Sequence, residues 1–90
     1  MGRLERRIFK LNDEIAAIER AIDLTREELR IHEHLDDDAR RDAAVGGPLE
    51  RDDARETSRD VANFRRLLDI QSRHREALVR KRDRLLARLG

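Results

Sequence analysis

Two histidines and three aspartates fall within the segment His32-Glu-His-Leu-Asp-Asp-Asp38. On a helix, His32 and Asp36 stand four residues apart, as do His34 and Asp38, so each pair shares a face. Imidazole nitrogen with carboxylate oxygen is a donor set for Zn²⁺ or another divalent ion. A closed site needs a third ligand brought from elsewhere, and the sequence supplies no such partner. The segment is therefore read as a solvated acidic patch with His32 as a polar core position, and no metal or cofactor is expected. With the acids beyond it, the acidic tip comprises Asp36, Asp37, Asp38, Asp42, Glu50, Asp52 and Asp53. Near the other end, RHREALVRKRDRLLAR (residues 73–88) is basic and could meet phosphates. Glu76 and Asp83 interrupt it and no aromatic platform accompanies it, so nucleic acid is not an expected partner. Catalysis is not expected either. There is no cysteine, Ser58 and Ser72 lack a flanking histidine base, and no glycine-rich phosphate loop follows a strand.

The elements that hold these groups follow from composition and period. In 90 residues, charged side chains make up 46% and aromatics 2%, the latter being Phe9 and Phe64 alone. Such a chain cannot build a conventional globular core, but its apolar residues are regularly spaced, which favours long helices over disorder. Leu4, Ile8, Leu11, Ile15, Ile18, Ile22, Thr25, Leu29 and His32 alternate steps of four and three, an a/d seam with isoleucine prominent at a. Ala54, Thr57, Val61, Phe64, Leu68, Gln71, Arg75, Leu78, Arg82, Leu85 and Leu89 repeat the rhythm. Between them lies AAVGGPLE (residues 43–50), with two of the four glycines and the only proline.

Folding the chain between Gly46 and Gly47 sets residues whose numbers sum to 93 opposite one another. Every seam residue then meets a seam residue: Leu4 with Leu89, Ile15 with Leu78, Leu29 with Phe64, Asp36 with Thr57. The expected fold is all-α: an antiparallel two-helix coiled-coil hairpin forming a single domain over 1–90. Helix 1 spans about 3–44, a Gly-Gly-Pro hinge 45–48, and helix 2 about 49–89. The glycines are expected to supply positive φ at a helix C-cap, and Pro48 suits a first helical turn. From His32 onward the seam turns to Asp, Ala and Thr, so this end is the weaker.

A second apolar stripe lies outside the seam: Ala17, Ala21, Leu24, Ile31 and Leu35 on helix 1, with Leu67, Ile70, Val79 and Leu86 on helix 2. One partner helix cannot cover so wide a face, so self-association is expected, as a dimer or higher oligomer, with two hairpins forming a four-helix bundle. Residues 32–60 carry 10 acids and 5 bases, and residues 61–90 carry 3 acids and 9 bases. That asymmetry favours an antiparallel dimer in which acidic tip meets basic base. No apolar run approaches the ~18–20 residues of a membrane span, and MGRLERRIFK has no signal-peptide core, so a soluble, cytoplasmic protein with no membrane partner is expected.

The acidic tip resembles that of Gre-type transcription-elongation factors, whose antiparallel hairpin enters the secondary channel of RNA polymerase. Residues 47–53, GPLERDD, are similar to the tip motif Gly-Asp-Leu-x-Glu-Asn of that family, with Pro48 in place of its Asp and no Asn. The likeness covers the hairpin alone, and the seating domain of those factors is missing from this sequence. A helical anti-sigma factor that binds a cyclic dinucleotide carries Glu-x3-Ser-x2-Arg-x3-Gln-x3-Asp. The corresponding window, Glu19, Asp23, Arg26, Arg30 and His34, matches it only at Glu and Arg, and that ligand is not assigned. The expected function is non-enzymatic protein–protein interaction, as scaffold, adaptor or regulatory subunit. The alternative is a transcription-associated hairpin that docks RNA polymerase or a sigma factor through its tip.

Overall fold

A computed structural model describes residues 2–90. It contains α1 (Arg3–Val45) and α2 (Pro48–Leu89) and is all-helical among the described residues. Neither helix has a glycine, and the one proline stands at the first position of α2, where its missing N–H costs no helical hydrogen bond. The only described residues outside the helices are the four glycines, Gly2, Gly46, Gly47 and Gly90.

The turn between the helices corrects one expectation. No described glycine has positive φ, so Gly46 and Gly47 do not form a left-handed C-cap. Gly47 instead caps the start of α2. Its carbonyl accepts the Arg51 N–H at 3.2 Å, and its own N–H donates to Glu50 Oε2 at 2.8 Å. This is the reciprocal half of a capping box, with Glu50 in the third helical position. Gly46 is required for space: a Cβ there would stand 2.7 Å from the Asp42 carbonyl oxygen and 2.6 Å from Glu50 Cγ. A Cβ on Gly47 would meet only Glu50 Oε2, at 3.6 Å.

The chain forms two compact units, each holding a stretch of both helices. Unit 1 comprises Met1–Asp23 and Asp69–Gly90. Its helices are antiparallel: Arg82 Nη1 donates to Asn12 Oδ1 at 3.2 Å, and Arg75 Nε donates to Glu19 Oε2 at 2.9 Å. Ile8, Leu11 and Leu85 form its core, with Leu4 and Leu78 packed against them, and Ile15 and Ile22 are buried as well. Arg75 and Arg82 are half-buried on the seam, with their guanidinium groups in polar contacts.

Unit 2 is Leu24–Leu68 and contains the turn. Here too the helices are antiparallel, with Glu33 accepting from Arg65 and Asp36 accepting from Thr57 and Ser58. Its buried residues are Val61, Thr25 and Asp36. All buried residues of the described chain, in both units, belong to the seam read from the four-three spacing.

Candidate interaction surfaces

The histidine–aspartate segment lies in unit 2, and its members serve different ends. Asp36, 5% exposed, is turned into the seam. Its Oδ1 accepts from Ser58 Oγ at 2.8 Å and Thr57 Oγ1 at 2.9 Å, and its Oδ2 lies 3.1 Å from Arg40 Nη2. These contacts follow from local sequence: Thr57 and Ser58 are adjacent on α2, and Arg40 stands one helical turn after Asp36. The Ser58 hydrogen bond holds the carboxyl below its ordinary pKa, assisted by Thr57 and Arg40 against the opposing effect of burial. His32 stacks on Phe64, with ring centroids 4.6 Å apart at 26°, and its Nε2 lies 3.9 Å from Glu28 Oε2. Asp38 faces Arg41 at 3.6 Å, while His34 is exposed. Among the described residues no group of three His, Cys, Asp or Glu side chains is placed to hold a metal ion.

The remaining acids of the tip divide in the same way. Glu50 is committed to the turn and Asp52 pairs with Arg55 at 2.6 Å. Asp37, Asp42 and Asp53 are exposed and form no ion pair among the described residues. Beside them stand two apolar residues that the heptad reading passed over, Val45 at 91% exposure and Leu49 at 71%. Both fall outside the seam, one on each side of Gly46-Gly47. That position was the available signal for apolar side chains with nothing to cover them.

Most of the second stripe is open to solvent. In unit 2, Leu24 is 64% exposed and Leu35 50%, with Ile31 and Leu67 also exposed. Leu24, Ile31 and Leu35 are seven and four residues apart and so share one face of α1. In unit 1, Ile70, Leu86 and Ala17 are exposed while Ala21 and Val79 are half-buried. Ala17 and Ala21 line an open apolar cleft of about 320 Å³ with Glu14, Ile18, His74 and Leu78.

Two further clefts in unit 1 are lined by cations. Arg3, Leu4, Arg7 and Arg88 bound one of about 370 Å³. Arg7, Lys10, Leu11, Glu14 and Lys81 bound one of about 170 Å³. No helix among the described residues is long and apolar enough to cross a membrane. Comparison with protein-family models, with curated proteins and with solved structures finds no match for this chain.

Proposed function

We propose that the chain is a non-enzymatic protein–protein interaction module, a scaffold, adaptor or regulatory subunit whose first partner is a second copy of itself. The observation that carries this reading is the stripe of large apolar side chains left open beside a completed seam: Leu24, Ile31, Leu35 and Leu67 in one unit, Ile70 and Leu86 in the other. Covering a side chain of this kind contributes up to about 1.5–3 kcal/mol, and a second hairpin laid on the stripe yields a four-helix bundle. Opposite charge in residues 32–60 and 61–90 favours an antiparallel pairing, because a two-fold dimer makes each complementary contact twice.

Sedimentation velocity tests this reading. The wild type is expected to sediment as a dimer. Leu24→Glu with Leu35→Glu is expected to give a monomer of unchanged helicity. A wild type that remains monomeric at high concentration overturns the reading. Added salt is expected to weaken the dimer; indifference to salt removes charge guidance and leaves apolar burial as the driver.

A second reading is favoured by Val45 and Leu49, exposed at the turn beside Asp42, Asp52 and Asp53. An apolar knob with an acidic rim suits a partner with a basic-rimmed pocket, and a transcription-associated hairpin that docks RNA polymerase or a sigma factor would use it. Asp37→Asn, Asp42→Asn and Asp53→Asn together leave Asp36 and its network intact. Capture of such a partner by the wild type and not by this variant is the expected result. Equal capture by both removes the tip from the interaction.

A further inference from the structure

Arg7, Lys81 and Arg88 each precede an a position, and in an antiparallel coiled coil such flanking residues face one another across the seam. Facing flanks ordinarily hold opposite charges. On the other side of unit 1 even the seam arginines find acceptors, Arg75 in Glu19 and Arg82 in Asn12. Around Arg7 the pattern fails. Arg7 shares one cleft with Lys10 and Lys81, and the next with Arg3 and Arg88. None of these five cations forms an ion pair among the described residues. The larger cleft is lined by three arginines and a leucine, with no acid. Like charges gathered in this way cost stability, and Arg3 also stands at the first position of α1, where the helix dipole repels cations and attracts anions.

We propose that the two clefts, joined through Arg7, form a binding site for adjacent phosphate groups of one polyanion. The larger cleft offers three guanidinium groups, which match phosphate oxygens in a forked geometry, and the smaller adds two ammonium groups as point charges. Both volumes are several times the roughly 30 Å³ of a water molecule, so each cleft has room for a phosphate group. Glu14, the single carboxylate among the lining residues, disfavours an anion at its end of the smaller cleft and sets that end of the site. A run of phosphates occurs in a free polyphosphate and in the backbone of a single-stranded nucleic acid. The chemistry of recognition is common to both.

The test is calorimetric titration of the full chain with inorganic tripolyphosphate at constant ionic strength. Arg7→Gln is expected to weaken binding by about tenfold or more, the loss of charge-assisted hydrogen bonds in both clefts. Glu14→Gln is expected to tighten it, and Arg59→Gln, an exposed change in unit 2, to leave it as it was. Without the anion, Arg7→Gln is expected to melt no lower than the wild type, so a loss of affinity is not a loss of fold. Absence of binding, or equal weakening by Arg7→Gln and Arg59→Gln, overturns the proposal. A parallel titration with oligothymidylate identifies the source. Tighter binding that falls in the same variants assigns the phosphates to a nucleic-acid backbone, and weaker binding assigns them to a free polyphosphate. If Arg7→Gln abolishes self-association and leaves tripolyphosphate binding untouched, the cations face a second copy's carboxylates and the proposal fails.

Discussion

The two units share one heptad rhythm and fill it with different chemistry. Among the described residues, five of the six buried apolar side chains, Ile8, Leu11, Ile15, Ile22 and Leu85, lie in unit 1, and only Val61 lies in unit 2. Unit 2 buries Thr25 and Asp36 in their place. Burial of aliphatic groups is non-directional and stabilises in proportion to area. A buried carboxylate stabilises only in the arrangement that satisfies it, so it contributes little net energy and much discrimination between registers. Unit 1 should therefore supply most of the stability, and unit 2 should fix which residues face which across the seam.

The largest effect expected is that of Ile15→Asp. It places an unpaired charge where the side chain is 5% exposed, inside the isoleucine-rich part of the seam. The cost is about 4 kcal/mol or more, comparable with the whole stability of a small domain. Circular dichroism should show helicity and melting temperature both falling sharply. An unaltered melt would contradict the assignment of unit 1 as the stable half.

Asp36→Ala comes next, and its effect should have a different character. It leaves the Thr57 and Ser58 hydroxyls without their acceptor and Arg40 without its carboxylate. The melting temperature should fall by less than in Ile15→Asp, and amide exchange should speed up in unit 2 in preference to unit 1. Acid provides a second probe of the same node. The pKa of Asp36 in the folded chain is depressed below its ordinary value of 3.8. Its contribution is therefore fully present above pH 3.8 and is lost as pH falls through the depressed folded value. The difference in melting temperature between wild type and Asp36→Asn should thus be widest near neutrality and shrink below pH 3.8. A constant difference across that range would mean that the charge of Asp36 plays no part.

These contrasts also mark what the sequence could disclose. The seam was readable because burial on a helix repeats every three and four residues, and the buried residues among those described all fall on it. Asp36 was ambiguous because it belongs both to the seam and to the run of acids at 36–38. The deciding fact is a pair of hydroxyls, Thr57 and Ser58, supplied by a segment some twenty residues away. His32 presents a similar case. Spacing from Asp36 suggests a ligand, whereas contact with Phe64 makes it a stacking partner. The cation-lined clefts escaped a residue-by-residue reading because Arg7 acquires its like-charged neighbours only when the hairpin closes.

Unit 1 has a polar intrusion of its own, and it is the counterpart of Asp36. Gln71, which the register sets against Ile22, buries its Oε1 without a hydrogen-bond partner among the described residues. An unsatisfied buried acceptor costs about 1–3 kcal/mol. Gln71→Leu should therefore raise stability by about 1 kcal/mol, read as a higher melting temperature, whereas no apolar replacement of Asp36 should preserve the register as well. Stabilisation at both sites would remove the distinction between a defect and a register-setting network.

The smallest effects separate the two glycines within unit 2. They are adjacent in sequence, yet only Gly46 is held by sterics. An alanine there must displace both the Asp42 carbonyl oxygen, 2.7 Å from the new Cβ, and the Glu50 side chain, 2.6 Å from it, and Gly46→Ala should cost about 1 kcal/mol or more. Gly47 has no such neighbour and no positive φ, and it already occupies the N-cap of α2. A serine at this position would add the hydroxyl half of a capping box whose glutamate half is in place as Glu50. Gly47→Ser should thus raise stability by a few tenths of a kcal/mol, about the difference between serine and glycine at an N-cap. The two variants should move the melting temperature in opposite directions. If both lower it, Gly47 is serving a left-handed turn after all, and the capping account of this hinge is the part that gives way.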